Sequence, residues 1–187
     1  SGINDLFYLA RIDEWKRQDR AVEVVYLLKK RGIEVRLLLA GQVSDKAYFE
    51  KIYNKSKDLG VEDKIISLGS INRRDLIKYS RESIGALFFY DMCNRGNAFY
   101  EVFSSGGIII ANNDGSLNDY IKNEINGFLI NSVEEAASVV SKLYQDISLR
   151  RTVRMNAEET SRRFIKSWSD RVNEEVSLIE NATGKPR

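Results

Sequence analysis

The sequence predicts an α/β fold in which a parallel sheet carries helices on both faces, and three observations lead there. Short apolar runs alternate with longer segments whose apolar residues recur at helical spacing, as strands followed by crossover helices require. The short runs are mostly apolar, which suits strands buried on both faces. Proline occurs once, at Pro186, so nothing forces a helix or strand to break early.

The elements follow in order. An apolar run over 6–10 suits a buried strand. Ala21, Val22, Val25 and Leu28 then recur at helical spacing, and Gly32 stands where a helix would stop. A second strand over 35–40 is closed by Gly41. A helix spans about 44–59 and ends at Gly60, and a third strand covers 64–68. Asn72, with Asp75 three residues on, marks the start of a helix reaching about Arg81. A fourth strand over 84–90 leads into a polar loop, 91–97. A helix over about 98–105 precedes a strand at 108–111. Ser132 and Glu135 form a capping box for a helix reaching Tyr144. The remainder is helical and ends in a helix over about 169–181, with Val172, Val176 and Ile179 along one face.

Composition narrows the chemistry. The 187 residues, 43% of them hydrophobic and 30% charged, are enough for one globular domain with a real core. No apolar stretch is long enough to span a membrane, and no basic start with an apolar run signals secretion. A single cysteine excludes an internal disulfide and fits a reducing compartment. The net charge of +2 comes from interspersed signs, which argues against nucleic acid as a partner. The absence of histidine removes Ser-His-Asp triads, most zinc sites and imidazole bases. Neither Gly-x-Gly-x-x-Gly nor a phosphate-binding Walker loop is present, so dinucleotide oxidoreductases and P-loop phosphotransferases lose support. Asp91 has no Asp-x-Asp partner, and no metal is expected.

In open parallel sheets ligands sit at the carboxyl ends of the strands, so the residues just after each strand matter most. After the first strand, Arg11 and Lys16 precede a helix. Two readings stand for them: ordinary charges on a solvated loop, or a pair of cations that neutralises a diphosphate. After the fourth strand, Gly96 leads into a helix that carries Glu101 one turn in. Free amides and the helix dipole there favour an anion, and Glu101 could accept from ribose hydroxyls. Equally, Gly96 could serve the turn and Glu101 the dipole.

Taken together, these segments resemble the C-terminal domain of retaining GT-B glycosyltransferases of family four, the glycosyl transferases group 1. The matching pieces are Ala10-Arg11-Ile12-Asp13 with Lys16, Leu38-Leu39-Ala40-Gly41, and Ile66-Ser67-Leu68-Gly69-Ser70 followed by Arg74-Asp75-Leu76. Glu101-Val102-Phe103-Ser104-Ser105-Gly106, Ile110-Ala111-Asn112-Asn113-Asp114-Gly115 and Asn126-Gly127-Phe128-Leu129 follow in the family's order, over roughly residues 6–175.

The resemblance implies a single Rossmann-like donor-binding domain over 1–187, one half of a GT-B fold, with the N-terminal acceptor domain absent. It implies transfer of a sugar from a nucleoside diphosphate donor to an acceptor hydroxyl with retention, without a metal or other cofactor. Arg11 and Lys16 would hold the diphosphate and stabilise it as it leaves. Ser70 and Ile71 would lie beside the base, and Glu101 would bind ribose. Asn94, Gly96, Asn97 and Ala98 would meet the phosphates or donor sugar. This chain alone would bind nucleotide and transfer little. A cytoplasmic setting is expected, with the inner face of the membrane open to the full-length enzyme. One departure stands out: Cys93 occupies the place of the family's first glutamate, which touches the donor sugar. Asn94, Asn97 or Asp91 takes over that contact, or catalysis is impaired. The alternatives are therefore an inactive nucleotide-sugar-binding or regulatory module and a GT-B sugar-nucleotide epimerase.

Overall fold

A computed structural model describes residues 4–91, 96–165 and 168–183. Its strands are β1 (Asp5–Leu9), β2 (Arg36–Ala40), β3 (Ile65–Gly69), β4 (Gly85–Phe88), β5 (Ile109–Asn112) and β6 (Phe128–Ile130). Its helices are α1 (Gln18–Lys30), α2 (Lys46–Asp58), α3 (Arg73–Glu82), α4 (Asn97–Ser104), α5 (Val133–Gln145), α6 (Ile147–Phe164) and α7 (Trp168–Thr183).

All six strands pair in parallel, in the order β3-β2-β1-β4-β5-β6. Successive strand residues face opposite sides, yet Leu6, Phe7 and Tyr8 are all buried, as are Ile109, Ile110 and Ala111. Both faces are therefore covered, as the continuous apolar runs require. Helix α1 packs on α2 and α5, and α4 packs on α3 and α6. The order of strands reverses between neighbours β1 and β4, and a ligand crevice forms at such a switch point.

The carboxyl ends of β1, β2 and β3 are drawn close together. Ala10 N–H donates to Ala40 C=O at 2.9 Å, Ile12 N–H to Gln42 C=O at 2.8 Å, and Gly41 N–H to Gly69 C=O at 2.8 Å. Gly41 has φ +148°, and a Cβ there would stand 2.0 Å from the Ala10 carbonyl oxygen. Only glycine permits that approach, which explains why Gly41 closes the second strand.

Local capping sets the helix starts. Asn72 Oδ1 accepts from Asp75 N–H at 2.9 Å, and Asp45 Oδ1 from Tyr48 N–H at 2.9 Å. Ser132 Oγ accepts from Glu135 N–H at 3.1 Å. The Glu135 carboxylate reaches back to Asn131 N–H at 2.7 Å, one residue earlier than a strict capping box would have it.

Two features differ from the sequence reading. β6 was not anticipated, because three residues are too few to show a period; parallel pairing with β5 makes it a strand. α7 stands apart from the core: Val172, Val176 and Ile179 share one face as expected, but all three are exposed, as is Leu178. Among the described residues no helix is long and apolar enough to cross a membrane.

Candidate functional site

The loop after β1 carries Arg11 and Lys16. Ile12 anchors it, fully buried, while a single 3-10 turn over Glu14–Lys16 leads through Arg17, at φ 52° and ψ 38°, into α1. Arg17 in this left-handed conformation is uncommon for a non-glycine residue, and five contacts hold the region around it. Tyr48 Oη donates to the Asp19 carboxylate at 2.7 Å and accepts from Asp19 N–H at 3.1 Å. The Arg17 and Lys55 cations lie 3.6 and 3.5 Å from the same carboxylate. Burial pushes the Asp19 carboxyl up, but the Tyr48 hydrogen bond and the Arg17 and Lys55 charges outweigh it and leave it below its ordinary value. The Tyr48 hydroxyl is raised by burial and by its bond to Asp19. Gln18 Nε2 adds a bond to Arg11 C=O at 2.8 Å.

The same loop is fastened to the end of β4. Tyr8 Oη donates to Lys16 C=O and accepts from Phe89 N–H at 3.0 Å. Tyr90 Oη donates to Leu9 C=O at 2.7 Å, and Asp91 N–H to Trp15 C=O at 3.1 Å. Lys16 Nζ sits 4.0 Å from the centroid of the Tyr90 ring, a cation–π position. The Arg11 guanidinium is exposed, its nearest acidic neighbour being Asp13 at 3.6 Å. The two cations thus differ: Lys16 is positioned by an aromatic ring, Arg11 is presented to solvent. Asp91, one candidate for the sugar contact, lies 3.7 Å from Arg17 and 3.9 Å from Arg20, which ties it to the start of α1.

Helix α4 begins one residue before the sequence reading placed it. Gly96 is its N-cap, and among the described residues no side chain caps the helix's first amides. At φ −69° and ψ 168° the Gly96 backbone is open to any residue, so the turn itself does not demand glycine. No acidic residue stands in the first turn, which leaves the positive end of the dipole uncompensated. Asn97 is exposed and Ala98 half-buried. Cys93 and Asn94 lie outside the described residues.

Glu101 and Ile71 border one space. They line one cavity of about 580 Å³ with Arg73, Leu76, Ile77 and Ser104 between α3 and α4. The Glu101 carboxylate is exposed and makes no ion pair or hydrogen bond with a described residue. Ser70, exposed beside Ile71, does not line the cavity, and neither do Arg11 and Lys16, which stand on the loop after β1. The sequence reading gave no role to Arg73, Ile77 or Ser104. The signal for the first two was the face that Arg73 and Ile77 share at i, i+4 on α3. A cavity of about 620 Å³ around Arg31, Ser138 and Lys142 is larger, but Arg31 ends α1 just before β2, at the edge where the strands begin. Volume alone would choose that edge; ligands in such sheets bind at the opposite one. Among the described residues no group of acidic or cysteine side chains is placed to hold a metal ion.

Comparisons with known proteins bear on the family and the fold. The family model for glycosyl transferases group 1 matches residues 2–160. A Dictyostelium discoideum protein, GDP-Man:Man(3)GlcNAc(2)-PP-Dol alpha-1,2-mannosyltransferase, is 27% identical over 146 residues, covering 74% of this chain and 28% of the relative. Anabaena HepE in complex with UDP and glucose superposes with a TM-score of 0.83 at 17% identity, over 94% of this chain and 48% of HepE. The C-terminal domain of LpcC, a glycosyl transferase group 1 family protein from Francisella tularensis, gives 0.73 at 21% identity, over 83% of each chain. The chain therefore spans about half the length of HepE and less than a third of the Dictyostelium relative.

Proposed function

Because this chain belongs to the glycosyl transferases group 1 family and has the fold of a GT-B C-terminal half, we propose that it binds a nucleoside diphosphate sugar at the carboxyl edge of its sheet and presents it for transfer to an acceptor hydroxyl with retention of configuration. One observation carries the proposal: Ile71 and Glu101, assigned to base and ribose from separate segments, line the same cavity. The HepE structures support the ligand class, since they hold UDP with glucose, UDP-glucose or UDP. The Dictyostelium relative's name adds a GDP-linked donor sugar.

The chemistry asked of this half is electrostatic. When the bond between the sugar's anomeric carbon and the diphosphate breaks, the departing oxygen gains charge. Arg11, Lys16 and the amides at Asn97 and Ala98 offset that charge where it develops, without requiring a metal. The acceptor binds on another part of the enzyme, so this chain by itself binds nucleotide and transfers little sugar. The whole enzyme works in the cytoplasm or at the inner face of the membrane.

Calorimetric titration with UDP, GDP and ADP tests the reading. One nucleotide is expected to saturate the chain, and an Arg11→Ala, Lys16→Ala double variant to weaken it at least about tenfold, since two charge-assisted contacts to phosphate are lost. Unchanged affinity in the double variant would remove these residues from the site. A second reading, nucleotide-sugar binding without catalysis, is favoured by Cys93 in place of the usual glutamate. Donor hydrolysis or transfer by the full-length protein would exclude it.

A further inference from the structure

Resting on the reading of Lys16 as one of the two cations that hold the diphosphate, we propose that Tyr90 is a positioning residue of the donor site: its ring holds the Lys16 ammonium ready for phosphate without neutralising it. The two residues meet at the switch point of the sheet, where the loop after β1 passes the carboxyl end of β4. Lys16 ends the 3-10 turn over Glu14–Lys16, and Tyr90 follows β4 by two residues.

The ring is fixed on several sides. Tyr90 is buried, its Oη donates to Leu9 C=O at 2.7 Å, and its C=O accepts from Asn112 Nδ2 at 3.1 Å. Phe88 and Tyr8 stand beside it, with ring centroids 5.3 and 6.0 Å away. The backbone of the lysine is held by the same strand end. Tyr8 Oη donates to Lys16 C=O while accepting from Phe89 N–H, and Asp91 N–H donates to Trp15 C=O. Only the four-carbon stem is left to place, and the ring centroid 4.0 Å from Nζ sets where its ammonium rests.

The cations nearby are held differently. Arg17 lies 3.6 Å from Asp19 and 3.7 Å from Asp91, Arg20 lies 3.9 Å from Asp91, and Lys55 lies 3.5 Å from Asp19. Lys16 has no carboxylate within ion-pair distance among the described residues. A carboxylate in the ring's place would repel an incoming phosphate or have to be displaced by it. A ring attracts the cation through its quadrupole yet carries no net charge, so the ammonium keeps its full attraction for an anion. A lysine held in advance also avoids most of the ordering cost that a freely rotating side chain meets on binding. That cost sets the size of the effect, about two- to tenfold in affinity.

The test is a double-mutant cycle read by calorimetric titration with UDP, GDP and ADP. It compares the unmodified chain with Tyr90→Leu, Lys16→Ala and the double variant, with unfolding midpoints confirming that each folds. Tyr90→Leu should weaken the nucleotide that binds by the factor above, and should weaken it no further once Lys16 is alanine. Tyr90→Phe keeps the ring and should bind nearly as the unmodified chain does. Fluorine atoms added stepwise to a phenylalanine at position 90 draw electrons from the ring face at nearly constant shape, and should lower affinity step by step. That series decides the matter even if Tyr90→Leu does not fold. The role of Tyr90 is overturned if Tyr90→Leu costs the same with and without Lys16, if Tyr90→Phe loses as much as Tyr90→Leu, or if the fluorinated series is flat. Those results leave Lys16 in the site provided Lys16→Ala alone weakens binding. If Lys16→Ala changes nothing, or no nucleotide binds the unmodified chain, the reading of Lys16 as a phosphate ligand falls and takes the role of Tyr90 with it.

Discussion

Replacing Gly41 with alanine tests how tightly the strand ends behind the site are drawn together. A Cβ at this position would meet Ala10 O at 2.0 Å, Ala10 C at 2.5 Å and Arg11 N at 2.9 Å, all backbone atoms. Relief to ordinary contact requires the end of β1 to move by roughly 1.5 Å, at an overpacking cost of about 1–3 kcal/mol. Holding alanine at φ +148° adds about 1–2 kcal/mol. The sum, about 2–5 kcal/mol, corresponds to a fall in Tm on the order of 10 °C for a domain of this size. Gly32→Ala is the matched control: φ is +74°, but nothing lies within 4 Å of the added carbon, so only the conformational cost applies. Denaturant unfolding of both variants separates overlap from conformation. Because the atoms displaced are those of Ala10 and Arg11, Gly41→Ala should weaken nucleotide binding as well, and Gly32→Ala should not. If Gly41→Ala costs no more than Gly32→Ala, the approach of β2 to the donor loop is not as described.

Two further substitutions probe the supports of the same loop. Asp19→Asn should destabilise the fold at pH 7 by about 1–3 kcal/mol, the range for breaking a buried charged hydrogen bond. The folded Asp19 carboxyl lies below its ordinary value, so its contribution is complete above the unfolded pKa of about 3.9 and is lost as pH falls through the lower folded value. The gap between wild type and Asp19→Asn should therefore be constant near neutrality and close below about pH 4; a gap that widens in acid refutes the network. Tyr8→Phe removes the hydroxyl shared by Lys16 C=O and Phe89 N–H, and should cost about 1–3 kcal/mol while weakening nucleotide binding. A loss of stability with binding intact would show that the hydroxyl supports the core alone.

The fold was legible where period and length agree. The strand near 6–10 and the helix through Ala21, Val22, Val25 and Leu28 carry enough apolar residues for their repeat to be unambiguous, and both are present in α/β order. Glycines and caps marked several ends, Asn72 and Ser132 among them, because those signals act within three residues. β6 escaped because its identity as a strand comes from pairing with β5, a partner distant in sequence. In the site, Ile71 and Glu101 were legible through the family's motifs, and the structure brings them to one cavity. Arg73 was not: an arginine among other charged residues on an exposed helix start looks like solvated surface until α4 is placed opposite it. The buried hydroxyls of Tyr8 and Tyr48 were equally silent, since a tyrosine in an apolar run gives no sign of where its oxygen goes.

A division of labour follows from where the polar groups are committed. The buried ones, Tyr8, Asp19 and Tyr48, hold the β1 loop from behind against α2 and the end of β4. The outward charges are held loosely: Arg11 has one acidic neighbour at 3.6 Å, and Glu101 and Arg73 have no partner among the described residues. Charges left uncommitted by the fold keep their capacity for a ligand, because little has to be broken when one binds. It also separates the variants by kind. Substitutions at Tyr8 or Asp19 should move stability and binding together, since the loop loses its support. Substitutions at Arg11 or Glu101 should move binding with little change in Tm, as exposed side chains outside the packed core usually do. A large loss of stability at either of these two would mean that the fold depends on that charge, and would count against its assignment to the ligand.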